Sequence, residues 1–266
     1  MKQYGLIGFP LSHSFSKKYF AEKFKTENIT DAHYDVYPLE HIKDLQDLLD
    51  LNPDLCGLNV TVPHKIGVLK YLDWIESDAK NAGAVNCIRI HKESPILAAF
   101  SGEVGVKDHD FRLEGFNTDL YGFEMSLRPL LHYHHHEALV LGDGGAARAV
   151  KCVLENLGIN YKVVTRKPHA DNLLFKDLKP HHIAQHKIII NTTPLGTSPN
   201  INECPPIPYE HITDKHLLYD LVYNPEKTLF LQKGEEQGAT IKNGYEMLLL
   251  QAEKSWEIWT STAKHP

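Results

Sequence analysis

No apolar run in this chain approaches the roughly 20 residues that a membrane-spanning helix needs. No long basic run is present either, and formal net charge is -6, which argues against a nucleic-acid surface or an anionic membrane patch. Cysteine is scarce: Cys56, Cys87, Cys152 and Cys204 lie far apart, in neither a zinc pattern nor a disulfide framework. Met1-Lys2-Gln3-Tyr4 leads straight into a strand-like run, without the apolar region or cleavage site of a signal peptide. A cytoplasmic protein with reduced thiols is therefore expected. What remains is a chain of 266 residues with 42% hydrophobic and 23% charged residues. That suits one large or two modest globular domains.

The pattern along the chain is strand, helix, strand. Residues 4–8, 33–37 and 57–62 read as strands, with helices over 16–25 and 41–51 between them and another opening at Pro63-His64-Lys65. Residues 88–115 break the rhythm and read as a long hairpin or excursion with a polar middle. A second series follows, with strands at 138–141, 161–164, 187–190 and 216–222 and helices over 144–156 and 244–260. Alternation of this kind predicts a mainly parallel α/β sheet.

Gly142-Asp143-Gly144-Gly145-Ala146-Ala147-Arg148 falls where a strand ends and a helix begins. Residues without side chains there let a pyrophosphate reach backbone N–H groups at the positive end of a helix. A glycine-rich turn with no ligand is the competing reading. NAD enzymes usually carry a carboxylate at the end of the next strand, for the ribose 2′-hydroxyl. Here that strand ends Thr165-Arg166-Lys167. Two cations suit a 2′-phosphate and favour NADP, unless they are merely solvated surface charges.

Further motifs bracket these. They are Gly8 to Ser16, Gly57 to Lys65, Gly83-Ala84-Val85-Asn86, Gly115 to Asp119, Asn191 to Gly196, Asp220 to Pro225, and Asn243 to Leu248 with Gln251. Together and in this order they resemble the shikimate dehydrogenases along nearly the whole chain. The resemblance implies two α/β domains around a cleft, the second a Rossmann-type domain. The substrate-binding domain would comprise 1–118 plus 244–266, and the NADP-binding domain 119–243. It implies that Lys65 and Asp119 form the catalytic pair in reduction of 3-dehydroshikimate to shikimate. Ser14 and Ser16 would hold the substrate carboxylate; Asn59, Thr61, Asn86 and Gln251 would address ring hydroxyls, and Tyr223 would help close the pocket. Gly142, Gly144, Gly145, Ala146, Thr165, Arg166, Lys167, Asn191, Thr192 and Gly244 would serve the cofactor. No metal is implied, and the chain would act as a monomer or homodimer.

The residues lend the catalytic pair independent support. Lys65 follows proline by two positions, near a helix start whose positive end disfavours the ammonium, while a carboxylate from Asp119 pulls the other way. The sequence also departs from the family pattern. Asp143 stands where alanine is usual, unfavourable beside a pyrophosphate unless it points away. Thr165-Arg166-Lys167 replaces Asn-Arg-Thr, and Thr197 and Cys87 replace methionine and threonine. The run His132-Tyr133-His134-His135-His136 invites a metal reading, but adjacent histidines do not converge on one ion and no Cys or Asp cluster accompanies them. A solvated loop is expected there. Two other functions compete: a quinate/shikimate dehydrogenase using NAD or both cofactors, and a non-catalytic module sensing metabolite or NADP.

Overall fold

A computed structural model of the chain describes residues 1–11, 14–92, 111–169 and 172–262. Ser12 and His13 of the first motif, and the middle of the 88–115 stretch, lie outside the described residues. Contacts divide the chain into two compact units, Met1–Thr118 with Ala252–Pro266, and Asp119–Gln251.

The first unit contains Lys2–Gly8 (β1), Phe15–Thr26 (α1), Ala32–Pro38 (β2), Leu45–Leu51 (α2), Leu55–Val60 (β3) and His64–Gly67 (α3). Trp74–Ile75 (β4), Ser77–Ala82 (α4), Cys87–Lys92 (β5) and Phe111–Phe116 (β6) complete its sheet, ordered β2-β1-β3-β5-β6-β4. β1 runs parallel to β2 and β3, and β4 parallel to β6. β5 is antiparallel to both its neighbours, the one reversed strand, among the described residues, of a sheet expected to be mainly parallel. The reason is length. α4 has six residues, about 9 Å of helix, whereas returning along a six-residue strand takes about 20 Å. The chain therefore enters β5 at the edge where β4 leaves. β5 and β6 form the two ends of the 88–115 stretch and pair as antiparallel arms. The helix expected over 41–51 begins as a 3-10 turn at Ile42–Asp44 and becomes α-helical only from Leu45.

Five of the seven residues of β1 are buried, as a strand covered on both faces requires. Trp259 lies against β3 at Gly57, where any Cβ would strike the indole ring, and its Nε1 donates to the Ile88 carbonyl at 2.9 Å. An aromatic cluster of Tyr4, Phe20, Phe24, Tyr34 and Trp259 fills this side, and Ile7, Leu45, Leu49, Leu58, Val68 and Ile88 fill the other core.

Thr118–Leu127 (α5) leads into the second unit. There Glu137–Leu141 (β7), Gly145–Asn156 (α6), Asn160–Thr165 (β8), Leu173–Leu174 (β9), Pro180–Gln185 (α7) and Ile188–Asn191 (β10) are followed by Leu217–Asp220 (β11), Leu229–Glu236 (α8) and Thr240–Lys242 (β12). The sheet order is β12-β11-β10-β7-β8-β9, and every pair is parallel. Strand order reverses between β7 and β10, which is the doubly wound Rossmann arrangement with its switch point at the end of β7. Ala147, Val150 and Leu154 of α6 recur at helical spacing and are buried. Tyr245–Thr260 (α9) ends the described chain. No helix of the described residues is long and apolar enough to cross a membrane.

Candidate active site

In the first unit the motifs converge on one edge of the sheet. The chain leaves β1 at Gly8, β3 at Val60 and β6 at Phe116, and it enters β5 at Cys87, which pairs with both Asn59 and Phe116. The turns after β1 and β3 touch: Phe9 N–H donates to the Val62 carbonyl at 3.1 Å, and a Cβ on Gly8 would collide with the Thr61 methyl.

Behind this edge lies a buried polar network. Tyr34 Oη donates to Asn59 Oδ1 at 2.9 Å, and Asn59 Nδ2 donates to Ser255 Oγ at 2.9 Å and the Asn86 carbonyl at 3.4 Å. Asn86 Oδ1 accepts from the Thr118 N–H at 2.7 Å, its Nδ2 donates to Thr118 Oγ1 at 3.0 Å, and Thr118 and Ser255 hydroxyls meet at 3.2 Å. The Ser16 hydroxyl bonds Tyr34, whose own ionisation burial pushes far above the usual phenol range. Asn59 and Asn86 are 5% and 3% exposed, so these bonds satisfy groups that would otherwise be costly to bury. Asn59 spends both its N–H groups inside the protein and therefore braces the edge.

Ser14 caps α1 by accepting from the Lys17 N–H at 3.1 Å, an ordinary helix-start duty. Thr61 and Lys65 are half-buried, and the Lys65 carbonyl accepts from the Val85 N–H at 2.8 Å, tying α3 to the Gly83–Asn86 motif. α3 is a single turn continued by a 3-10 turn at Val68–Tyr71, so it offers only a short dipole at Lys65.

The second unit presents the carboxyl ends of β7, β8, β10 and β11 side by side, Leu141 opposite both Val164 and Asn191, and Asn191 opposite Asp220. Gly142 takes a left-handed φ of 105°, and a Cβ there would meet Thr192 Oγ1 at 2.8 Å. Geometry alone demands glycine at this point. Thr192 donates through both its N–H, at 3.0 Å, and its hydroxyl, at 2.8 Å, to the Leu141 carbonyl. Gly144, the N-cap of α6, has an ordinary φ of -87° and offers no side-chain cap. A Cβ on Gly144 or Gly145 would meet nothing within 4 Å. Among the described residues no atom excludes side chains there, so the open ground over the start of α6 fits the close approach of a ligand. Ala146, Arg166 and Lys167 are exposed, and the Thr165 hydroxyl donates to the Lys167 carbonyl at 2.8 Å, shaping the turn that carries both cations. These residues fit a dinucleotide bearing an additional phosphate.

Asn191 is fully buried and committed: its Nδ2 donates to Asp220 Oδ1 at 2.9 Å, and its Oδ1 accepts from the Thr193 N–H at 3.0 Å and hydroxyl at 2.6 Å. It holds the Thr192–Thr193 turn. Asp220 also accepts from the Val222 N–H at 3.0 Å and the Thr228 hydroxyl at 2.5 Å, but burial without a cation pushes its carboxyl up to about 6. Gly244 is buried against the Leu221 carbonyl, so its lack of a side chain is a packing requirement. Gln251, on α9, donates to the Leu248 carbonyl at 3.0 Å, Tyr223 is 40% exposed after β11, and Asp119 is the second residue of α5.

Tyr34, Thr118 and Ser255 belong to the first-unit network without having been singled out from sequence. Thr118 stood inside a quoted motif, and Ser255 is one helical turn beyond Gln251. Tyr34 carried no signal beyond its place in a strand. The histidine run is only partly a solvated loop: His135 is buried, accepts the His132 N–H at 3.0 Å, and loses proton affinity through burial and neighbouring histidines. No group of three metal-ligating side chains occurs among the described residues. A hollow of about 220 Å³ lies beside this run, at the opposite edge of the sheet from the glycine loop.

A parallel sheet in Rossmann order, a glycine loop at its switch point and cations at the next strand end define a dinucleotide-binding α/β protein of the oxidoreductase kind. Residues 6–88 match the shikimate dehydrogenase substrate binding domain. Shikimate dehydrogenase (NADP(+)) of Methanococcus aeolicus is 34% identical, the alignment covering 97% of this chain and 92% of the relative. The protein of the same name from Clostridium beijerinckii is 36% identical, over 97% and 92%. The crystal structure of shikimate 5-dehydrogenase from Thermus thermophilus in complex with NADP(H) and shikimate superposes with a TM-score of 0.79 at 26% identity, covering 100% of this chain and 96% of that one. The chain belongs to the shikimate dehydrogenase family.

Proposed function

We propose that the protein is an NADP-dependent shikimate dehydrogenase, reversibly reducing 3-dehydroshikimate to shikimate. The observation that supports this most is where the family motifs fall: in each sheet they gather at one carboxyl edge, where open α/β sheets bind ligands. Bound NADPH supplies hydride to the ring carbonyl carbon. Lys65 delivers the proton to the carbonyl oxygen, directly or through water, and Asp119 orients the lysine; in the reverse direction the same pair withdraws the hydroxyl proton. Ser14 and Ser16 hold the substrate carboxylate with hydroxyl donors. Asn59, Thr61, Asn86 and Gln251 address ring hydroxyls, Asn59 while also bonded to Tyr34 and Ser255, and Tyr223 closes the pocket. Arg166 and Lys167 grip the 2′-phosphate, and the first turn of α6 with Gly142, Gly144, Gly145 and Ala146 receives the diphosphate. Thr165, Asn191, Thr192 and Gly244 shape the surrounding turns.

In this reading residues 1–118, completed by the C-terminal helix, form the substrate-binding domain, and 119–243 form the NADP-binding domain. The enzyme works in the cytoplasm, as a monomer or homodimer, with its four free cysteines reduced. Absorbance at the nicotinamide band, with shikimate or quinate and NADP+ or NAD+, tests the assignment. Shikimate with NADP+ is expected to react fastest. Faster quinate oxidation with NAD+ would replace the reading by the quinate enzyme, and binding of NADP+ without turnover would leave a sensing module.

A further inference from the structure

Asp143 places a carboxylate in the middle of the loop that receives a diphosphate. Left uncompensated, it would repel that ligand at short range. The structure supplies a compensating charge from outside the loop. Lys151 Nζ lies 2.6 Å from Asp143 Oδ1, and the hydrogen bond from Lys151 holds the Asp143 carboxyl below its usual range against a smaller opposing effect of burial. Lys151 sits in the second turn of α6, and helical side chains lean toward the N-terminus, which brings its stem back to the loop. A cation so placed opposes the helix dipole, and the first turn of α6 contains no acidic residue to offset it. The ion pair with Asp143 offsets that repulsion.

We infer that Lys151 is a positioning residue for the cofactor, acting through Asp143: it cancels the loop carboxylate and thereby lets the open Gly144–Gly145 ground accept a diphosphate. The inference rests on the NADP reading above. It assigns Lys151 no contact with cofactor, so Lys151 matters for binding only while Asp143 is present. The pair is partly exposed, its side chains 25% and 32% accessible, so its contribution to stability is small.

The test is a double-mutant cycle on the full chain, reading NADP+ dissociation constants by calorimetry and apo-protein melting temperatures. Lys151→Met is expected to weaken NADP+ binding about tenfold at low salt, less at high salt, with little change in melting. Asp143→Ala is expected to bind at least as tightly as the natural chain, and the double variant to return within about threefold of it. Unchanged binding by Lys151→Met would overturn the inference, as would a double variant as weak as Lys151→Met, since Lys151 would then act without Asp143. Should Lys151→Met fail to fold, Asp143→Ala still decides: tenfold weaker binding by it contradicts the proposal. A natural chain that binds neither NADP+ nor NAD+ sinks the cofactor reading together with this one, whereas natural binding with an indifferent Lys151→Met sinks this one alone.

Discussion

The two carboxyl edges prepare for ligands in opposite ways. In the first unit side chains do the work: Ser16, Tyr34, Asn59, Asn86, Thr118 and Ser255 are bonded to one another and mostly buried. In the second unit the loop over α6 is mostly backbone, with glycine at 142, 144 and 145 around Asp143, and Asn191 is withdrawn into the scaffold. A substrate recognised by its hydroxyl pattern needs fixed donors and acceptors. A diphosphate needs room and unoccupied N–H groups. The first edge is therefore damaged by deleting side chains, and the glycine loop of the second by adding them. The buried carboxylates repeat the contrast. Glu114 in the first unit is buried, yet His91 and Arg89 outweigh desolvation and hold it low, Arg89 Nη2 lying 2.5 Å away. Asp220 in the second unit has only neutral donors and is raised.

The largest expected effect is a deletion at the first edge. Lys65→Ala is expected to lower kcat about 1,000-fold while leaving the urea midpoint nearly unchanged, because acid–base assistance is lost and little packing is. Steady-state rates with shikimate and NADP+ check this, and turnover at the natural rate would break the contrast at its main point. Next comes the raised carboxylate. The folded state holds the Asp220 proton more tightly than the unfolded state, whose carboxyl titrates near 3.8. Stability from this source is complete below about pH 4 and falls as pH rises to about 6, by about 3 kcal/mol for a shift of about two units. Denaturant titrations between pH 4 and 7 should show that slope reduced in Asp220→Asn; an unaltered slope would remove Asp220 from the account.

Arg166→Ala sharpens the comparison, since it deletes a charged side chain from the second edge. NADP+ affinity is expected to drop about 30-fold, about 2 kcal/mol for hydrogen bonds to a charged phosphate, with NAD+ affinity unmoved. Calorimetry with both cofactors decides it, equal losses pointing to a general role. The smallest effect separates two glycines. Gly142→Ala is expected to cost about 1–2 kcal/mol of stability through its left-handed backbone and the Thr192 contact. Gly144→Ala is expected to leave melting within about 0.5 kcal/mol of the natural chain and to weaken NADP+ instead. A large drop in melting for Gly144→Ala would mean that protein packing, after all, demands that glycine.

Much of this was legible in the chain. The glycine loop, the Thr165-Arg166-Lys167 strand end and the strands at 138–141, 161–164 and 187–190 follow from local pattern; those at 138–141 and 188–190 are fully buried and read as continuous apolar runs. The antiparallel pairing of β5 with β3 was not legible, since it depends on how far a six-residue helix can carry the chain. α5, α8 and β12 also escaped sequence reading, being short or lacking a clean period. Gly142, Gly144 and Gly244 look alike in sequence and differ in cause: one answers to backbone conformation, one to open space and one to the Leu221 carbonyl.

By itself the sequence determined the reaction class, the family resemblance and the preference for a phosphate-bearing cofactor, because these depend on residue chemistry and on spacing within short motifs. Only the tertiary structure decided which motif residues are spoken for. That Asn59 braces Tyr34 and Ser255, that Asn191 serves Asp220, and that Lys151 answers Asp143 eight positions away are facts of distance. Hydrogen bonds and ion pairs act over about 3 Å of space, whatever the separation along the chain.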